Sequence, residues 1–164
     1  MKHIRLAELI DQPKKYDTVT AKGWVRTFRA KRFIALNDGS TSENLQCVVD
    51  FENTDEDILK KINTGAAIEI SGKLVESIGR GQSLEIIVDN IKIIGEAHPE
   101  LYPIQPKKHS FEFLREKAHL RVRTATFSAV MRIRSELSFA IHQFFHNKGF
   151  YYIHTPIITC LLYT

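Results

Sequence analysis

The sequence predicts a mainly β fold with added α-helix: a barrel of five short strands, then a linker, then a long helix and one more strand. Two observations lead to this prediction. The first hundred residues contain five runs of apolar and β-branched residues, separated by turn signals and, between the third and fourth runs, by one short helical pattern. Beyond them, apolar residues recur at helical spacing over residues 124–148.

Turn residues and a helix signal separate the five predicted strands. The second run ends at NDGS, and the glycines of IGRGQ predict a loop between the fourth and fifth runs. The segment TDEDILKKI has acids in its first turn and lysines near its end, which predicts a short helix with Thr54 as its N-cap. The strands are expected at residues 19–29, 32–37, 45–51, 66–77 and 83–96.

Five strands with a helix between the third and the fourth are typical of the OB-fold, a partly open five-stranded Greek-key barrel. An SH3-like barrel is the alternative, and the position of the helix favours the OB-fold. Gly23, inside the first strand, fits the sharp bend that a small barrel needs. We expect this domain to occupy residues 1–98.

A linker with a short helix is predicted at residues 99–123. Its prolines, Pro99, Pro103 and Pro106, favour a stiff and extended chain. The segment SFEFLREKAHL is helical in pattern, with Ser110 as a possible cap.

The last predicted unit, residues 124–164, begins with the long helix. Gly149 is expected to end that helix. The segment FYYIHTPIIT then predicts a strand, which Pro156 confines to an edge or boundary because proline has no N–H to donate. Arg132 and Glu136 are four residues apart and are expected to pair weakly. The apolar stripe of the helix consists of Val130, Ile133, Leu137, Ile141 and Phe144.

Composition indicates a globular protein without a membrane segment. Apolar residues make up 43% of the 164, and no apolar run is long enough to cross a bilayer. The amino-terminal segment contains acids and no sustained apolar run, so it does not resemble a secretory signal. Cys47 and Cys160 are the two cysteines and suggest no disulfide framework, which fits a cytoplasmic location.

Positive charge is concentrated locally. Residues 1–98 carry 14 basic and 15 acidic residues, yet no acid occurs between Thr18 and Asn37. A local cationic run on a nearly neutral body indicates a directed binding face, although a solvated hairpin would have the same composition. The run contains Lys22, Arg26, Arg29, Lys31 and Arg32, interleaved with Trp24, Phe28 and Phe33.

Strand alternation predicts which of these side chains face outward. Because successive side chains point to opposite faces, the apolar residues Ile34 and Leu36 fill the barrel and leave Phe33 outside. The same argument places Gln46 and Arg26 outside. Arg29 has the phase of a buried residue, so we expect it past a bulge or in the turn.

An outward aromatic ring beside cations is typical of proteins that bind single-stranded nucleic acid. A base stacks on the ring of Phe33, the cations meet phosphates, and Gln46 hydrogen-bonds the base edge. The alternative is that the amino-terminal segment covers Phe33. These residues by themselves indicate binding of single-stranded nucleic acid, which a free-standing OB-fold protein with a helical dimer tail could also perform.

Other motifs give weaker signals. His142 and His146 have the spacing of paired zinc ligands, but Gln143 replaces the glutamate of a metalloprotease motif and no third ligand is evident. We therefore predict no metal site and no catalytic residue in this chain. No nucleophile–base pair supports a hydrolase.

Several stretches together resemble the asparaginyl-tRNA synthetases, class II aminoacyl-tRNA synthetases with an OB-fold anticodon-binding domain. They are GWVRTFR, FIALNDGS, LQCVVD, TGAAIEISGKLVES, YPIQPKKHSFEFLREKAHLRVRT and GFYYIHTPIIT, and they cover residues 16–159. LNDGS followed by LQ points to the asparaginyl member rather than to the aspartyl or lysyl members. Val122 departs from the family pattern, in which a proline is expected.

The resemblance implies roles for individual residues. Phe33 resembles the ring that stacks on the central anticodon base, and Gln46 the side chain that reads that base. Arg26 and Arg29 resemble contacts to the RNA backbone and bases, and Glu85 an acid that reads the first anticodon base. The implied ligand is the anticodon loop of tRNA(Asn). Residues 124–159 resemble motif 1, a helix and strand that form a homodimer interface, with Arg132, Phe145, Gly149 and Pro156 as its implied residues.

The resemblance also implies an asparagine–tRNA ligase reaction that uses ATP and Mg²⁺. Motif 2 and motif 3, which perform that chemistry in the family, have no counterpart in these 164 residues. We therefore expect this chain alone to contain no cofactor and to be inactive. The segment CLLYT stands where the family continues with a sequence like ASD, which suggests a truncated or frameshifted reading frame.

Overall fold

The computed structural model describes residues 3–77, 79 and 82–158. In these residues the strands form one closed barrel in the order β1-β2-β3-β5-β4. Neighbouring strands are antiparallel, except that β3 and β5 run parallel. The strands are β1 (Thr18–Arg29), β2 (Phe33–Asn37), β3 (Leu45–Val48), β4 (Ala67–Glu76) and β5 (Leu84–Gly95), and the α-helices are α1 (Leu6–Asp11), α2 (Glu56–Lys61), α3 (Phe111–Glu116) and α4 (Ala125–Asn147).

The predicted OB-fold barrel is confirmed, including the helix α2 between the third and fourth strands. Two local predictions were wrong. Asp55, not Thr54, caps α2, since the Asp55 carboxylate accepts a hydrogen bond from the Asp57 amide over 2.8 Å. The third strand ends at Val48, and Phe51 is 45% exposed because it lies beyond the end of the ladder.

Alternating burial along the strands builds the core. In β2, Ile34 and Leu36 are fully buried while Phe33 is partly exposed, as the sequence pattern predicts. In β3, Leu45 and Cys47 are buried in the same way. The inner positions of β1, β4 and β5 complete this core with Val19, Ala21, Val25, Ile68, Ile70, Leu74, Leu84, Ile86 and Ile91.

A β-bulge in β1 changes which side chains face outward. Val25 pairs with Leu36 and Thr27 pairs with Ala35, so Arg26 is the extra residue between them. Past the bulge the phase is reversed: Phe28 packs against the core, and Arg29 takes an outward position. Of the two positions expected for Arg29, past a bulge or in the turn, the structure shows the first.

Close backbone approach requires glycine at two barrel positions. A Cβ at Gly23 would lie 2.8 Å from the carbonyl oxygen of Asn37 on β2. A Cβ at Gly72, beside a second bulge, would lie 2.0 Å from the carbonyl oxygen of Ile87. Both contacts are too short for any side chain, so these glycines allow the barrel to close.

The short helix α1 was not predicted from the sequence. Its Leu6 and Leu9 are fully buried and join the barrel core. The NDGS turn holds the start of α1: the Leu6 amide donates to Asp38 Oδ2 over 2.9 Å, and the Ala7 amide donates to Ser40 Oγ over 3.0 Å. Tertiary contacts therefore stabilise a helix of six residues that would be marginal alone.

The linker and the long helix largely follow the prediction. Ser110 caps α3, with its hydroxyl accepting from the Phe113 amide over 3.2 Å. Helix α4 ends where Gly149 adopts a φ of +87°. The prediction of a strand that contains Pro156 is wrong for residues 150–158, which form no strand. A strand needs a neighbour to satisfy its N–H and C=O groups, and the described residues offer none there.

Three contacts join the barrel to the linker and to α4. The Arg26 guanidinium donates to the carbonyl oxygen of Arg123. The Arg123 guanidinium lies 3.9 Å from the ring centroid of Trp24. Arg132 donates from Nη2 to the carbonyl oxygen of Gly39 over 2.5 Å, which fixes α4 against the NDGS turn. None of the helices in the described ranges is long and apolar enough to cross a membrane.

Candidate nucleic-acid interface

Four of the side chains singled out from the sequence lie on adjacent strands of the outer barrel face. Arg29 of β1 is directly opposite Phe33 of β2, and Gln46 of β3 is directly opposite Glu85 of β5. Gln46 also faces Ala35, two residues from Phe33, so Phe33 and Gln46 are diagonal neighbours on one face. We call Arg29, Phe33, Gln46 and Glu85 the outer row.

Phe33 supplies a partly exposed ring to the outer row, next to positive charge. The Arg32 guanidinium lies 5.8 Å from the centroid of that ring. The preceding tight turn places Ala30 and Lys31 at φ values of 51° and 50°, a left-handed conformation that costs an L-residue roughly 1–2 kcal/mol. The turn is closed by the Arg32 amide, which donates to the Arg29 carbonyl oxygen over 3.0 Å. The barrel therefore holds a cationic turn beside an aromatic ring.

The amide of Gln46 is oriented by a carboxylate. Gln46 Nε2 donates to Glu85 Oε2 over 3.2 Å, and the Ser77 hydroxyl donates to the same oxygen over 3.1 Å. An ionised carboxylate only accepts hydrogen bonds, so the amide nitrogen of Gln46 must face Glu85. The Gln46 oxygen and the second N–H are then the groups left for a ligand.

A cavity of about 630 Å³ lies beside the outer row. Arg29 and Gln46 line it together with Asn44 and Glu43. This volume is within the usual range for sites that hold a small organic group. The cavity therefore offers a recess next to the groups that carry charge and hydrogen-bonding capacity.

Arg26 is not part of the outer row. Because it is the bulged residue of β1, its side chain departs from the strand's alternation, and its guanidinium bonds the Arg123 carbonyl of the linker. Arg26 lines a different cavity, in which Trp24 and Arg123 also take part. The structure thus brings Phe33, Gln46, Arg29 and Glu85 together and places Arg26 to one side.

The residues implied as a dimer interface are spread along α4 and beyond. Arg132 bonds Gly39 of its own barrel. The predicted pairing with Glu136 is wrong, because the ion pairs of the described residues do not include it. Phe145 is 49% exposed and packs edge-to-face against Phe150, with centroids 5.6 Å apart. Gly149 ends α4, and Pro156 lies in the segment without helix or strand that follows. Those four positions remain a prediction.

The predicted apolar stripe of α4 is largely exposed. Leu137 is 59% and Ile133 is 66% exposed. Val130, Ile141 and Phe144 are exposed in the same way. A row of this kind usually marks a surface that another protein element covers.

The histidine pair of α4 has neighbours typical of packing. His142 lies edge-to-face with Tyr152, with ring centroids 4.6 Å apart. Within the described ranges, no three His, Cys, Asp or Glu side chains are grouped so that they could hold a metal ion. No residue of this part of the chain is therefore assigned to the Mg²⁺ that the family resemblance implies.

Burial makes Cys47 a structural residue. Its side chain is fully buried in the barrel, and this burial raises the pKa of the Cys47 thiol well above its ordinary value. A thiol that cannot ionise is a poor nucleophile. Cys160 lies outside the described residues.

Sequence reasoning missed the roles of Ser77 and Arg123. Ser77 reaches Glu85 because β4 and β5 are adjacent, and Arg123 reaches Trp24 across the linker. The hairpin formed by β4 and β5 could have indicated Ser77 once its register was known. No local signal pairs Arg123 with Trp24.

Comparisons with known proteins match both parts of the chain. The family model of the OB-fold nucleic acid binding domain matches residues 19–94. The model of the tRNA synthetases class II (D, K and N) matches residues 110–162.

Relatives of known name match nearly the whole chain. The asparagine–tRNA ligase of Cytophaga hutchinsonii is 53% identical over 164 residues, which cover 97% of this chain and 35% of that relative. The asparagine–tRNA ligase of Parabacteroides distasonis is 52% identical over 162 residues, with the same two coverages of 97% and 35%. The chain thus spans about a third of the length of these relatives.

A solved structure agrees with the fold over nearly the same range. The Entamoeba histolytica asparaginyl-tRNA synthetase, in complex with asparaginyl-adenylate, superposes with a TM-score of 0.80 at 27% identity. The match covers 96% of this chain and 38% of that chain.

Proposed function

Because the chain belongs to the class II tRNA synthetases of the D, K and N group and spans their amino-terminal OB-fold domain, we propose that it is the anticodon-recognising part of an asparagine–tRNA ligase. The outer row would hold the anticodon loop of tRNA(Asn). In this proposal residues 1–98 bind RNA and residues 124–164 begin the synthetase domain. Residues 99–123 connect these two parts.

The hydrogen bond between Gln46 and Glu85 beside the ring of Phe33 is the observation that supports this function most directly. With its nitrogen held by Glu85, the Gln46 amide offers one acceptor and one donor side by side. Uracil offers the complementary pair, the N3–H donor and a carbonyl oxygen. A uracil stacked on Phe33 therefore satisfies both groups, and a GUU anticodon has uracil at its centre.

The remaining members of the outer row, Arg29 and Glu85, are also placed to contact RNA near the stacked uracil. Arg29 faces Phe33 across the strands and can neutralise the phosphate next to the stacked base. Glu85 is better placed to orient Gln46 than to act alone, because Gln46 and Ser77 already donate to its Oε2. Its second oxygen can still meet the first anticodon base, the role that the family resemblance implies.

The proposal for the longer protein is ATP-dependent attachment of asparagine to tRNA(Asn) in the cytoplasm. The family membership and the adenylate bound to the Entamoeba enzyme support ATP as a substrate. The exposed stripe of α4 supports a homodimer through motif 1. Nothing in residues 3–158 is assigned to the chemical step.

The test is a binding titration with RNA stem-loops. A stem-loop with a GUU anticodon should bind more tightly than loops with the central uracil replaced, at fixed salt concentration. Equal binding of all loops and of unrelated single strands would contradict anticodon recognition. It would favour the alternative of a general OB-fold binder of single-stranded nucleic acid.

A further inference from the structure

A second cavity, of about 500 Å³, lies between β1 and the linker. We call it the hinge cavity. Its lining includes four cationic side chains and, among the described residues that line it, no acidic one. The cations are Arg26 from the barrel and Lys107, Lys108 and Arg123 from the linker.

The protein holds these four charges together without neutralising them. Arg26 donates to the backbone carbonyl of Arg123, and the Arg123 guanidinium stacks on Trp24. Within the described residues none of the four cations forms an ion pair with a carboxylate. Like charges in proximity repel, and an anion that enters between them removes that cost.

Local hydrogen bonds keep the two lysines at the cavity. Gln105 Nε2 donates to the Tyr102 carbonyl over 2.8 Å, and the Lys107 amide donates to the Gln105 carbonyl over 2.7 Å. Ile104 is buried and anchors the same segment. The linker is therefore folded at this point, and Lys107 and Lys108 are carried on an ordered turn with exposed side chains.

The hinge cavity and the cavity beside the outer row share one lining residue. Asn44 lines both the hinge cavity and the cavity beside the outer row, which Arg29 and Gln46 also line. A ligand with repeated negative charge that reaches from one cavity to the other would meet Arg29 in one and the four cations in the other. An RNA strand with bases on the outer row fits this description, because its backbone continues beyond the stacked bases.

We propose that the hinge cavity binds backbone phosphates of the RNA that flanks the recognised loop bases. This inference rests on the proposed function, because it takes the ligand of the outer row to be RNA. It adds the linker residues Lys107, Lys108 and Arg123 to the RNA-binding surface. Arg26 then contacts the backbone from the hinge cavity rather than from the outer row.

The test compares two charge-neutralising double variants of the 164-residue chain. The first is Lys107→Gln with Lys108→Gln. The matched control is Lys60→Gln with Lys61→Gln, which changes the net charge equally on the exposed helix α2. Both are titrated at several salt concentrations with a stem-loop of the length of an anticodon arm and with the trinucleotide GUU.

The expected result separates the two RNAs. The salt dependence is the slope of the logarithm of the binding constant against the logarithm of the salt concentration. For the stem-loop, the hinge variant should lower the magnitude of this slope by roughly 0.7–0.9 for each phosphate that the two lysines no longer neutralise. It should also weaken stem-loop binding about tenfold at low salt. For the trinucleotide, which has no flanking nucleotides to place in the hinge cavity, the hinge variant and the control should bind alike. Circular dichroism and thermal unfolding of both variants confirm that each is folded.

Two results would overturn the inference while leaving the proposed function intact. One is a stem-loop titration in which the hinge variant matches the control. The other concerns inorganic pyrophosphate, titrated at constant ionic strength. If the hinge variant no longer binds pyrophosphate but keeps its affinity for the stem-loop, the hinge cavity is a site for small anions. If the unaltered chain does not discriminate between stem-loops, the proposed function fails instead.

Discussion

Gln46 and Glu85, 39 residues apart in sequence, are joined by a hydrogen bond of 3.2 Å from Gln46 Nε2 to Glu85 Oε2. They face each other across the parallel pair β3 and β5. The carboxylate leaves only one orientation for the amide of Gln46. Base selectivity on this face therefore depends on Glu85 as well as on Gln46.

Replacing Glu85 by glutamine should reduce base discrimination more than affinity. An amide at this position both donates and accepts, so the Gln46 amide can rotate and present its donor to N3 of cytosine. Preference for a GUU over a GCU stem-loop, worth roughly 1–3 kcal/mol for a bidentate contact, should then decrease. The measurement is the ratio of the two Kd values. Glu76→Gln, an exposed change on β4, is the control. An unchanged ratio in Glu85→Gln would show that Glu85 does not orient Gln46.

Removal of the ring of Phe33 should weaken RNA binding by roughly 1–3 kcal/mol, because a base loses its stacking partner. The fold should tolerate Phe33→Ala, since the side chain is partly exposed and lies outside the barrel core. Phe51→Ala, which removes another exposed ring that is not a member of the outer row, provides the comparison. Stem-loop titration gives both Kd values, and equal values for the two variants argue against stacking on Phe33.

Arg26→Ala should lower the magnitude of the log–log salt slope of RNA binding by about 0.7 if Arg26 meets one phosphate of a single strand. It should also lower the melting temperature slightly, because the Arg123 carbonyl loses its donor. Arg26→Lys keeps the charge and should restore the slope but not the hydrogen-bond geometry. An Arg26→Ala slope equal to that of the unaltered chain rejects the contact.

Asp38 should make stability depend on pH in the acidic range. Burial raises the pKa of Asp38, but hydrogen bonds from the Ser40 hydroxyl and from the Leu6 and Ser40 amides outweigh that effect and hold the pKa below its ordinary value of 3.8. The folded state thus favours the carboxylate. Its contribution is present above pH 3.8 and is lost as the pH falls through the lower folded-state pKa.

The variant Asp38→Asn should therefore lower the free energy of unfolding by roughly 1 kcal/mol at neutral pH, because the amide nitrogen cannot accept a hydrogen bond from Ser40. The variant should also lose part of the dependence of stability on pH in the acidic range. Thermal unfolding between about pH 5 and pH 2 measures this. Asp89→Asn, at an exposed position, should leave the profile unchanged. A parallel profile for Asp38→Asn and the unaltered chain would rule out the role of this carboxylate.

The exposed stripe of α4 should make the chain self-associate. Leu137→Glu places a charge in that stripe, and loss of one buried leucine from an interface, worth roughly 1.5–3 kcal/mol, should raise the dissociation constant at least tenfold. Sedimentation velocity over a range of concentrations gives that constant. Ser135→Glu adds the same charge at another exposed position of α4 and should have little effect. A chain that is monomeric at all concentrations contradicts the prediction.

The barrel and the inward or outward orientation of its strand residues follow from local sequence patterns. Strand alternation has a period of two, so apolar Ile34 and Leu36 require that Phe33 face outward, whatever the rest of the fold. The same local rule placed Gln46 outside and Cys47 inside. The end of α4 at Gly149 was equally local, because only the left-handed backbone conformation is needed there.

How these side chains combine depends on contacts between segments that are distant in sequence. The bulge that moves Arg26 to the hinge cavity and Arg29 to the outer row depends on the register between β1 and β2, which alternation within one strand cannot give. The link from Ser77 through Glu85 to Gln46 needs three strands to meet. Helix α1 forms because Leu6 and Leu9 find the barrel core, whereas residues 150–158 form no strand because the described chain offers them no partner. Periodicity is a property of neighbouring residues, while register and pairing are properties of segments that meet only when the chain has folded.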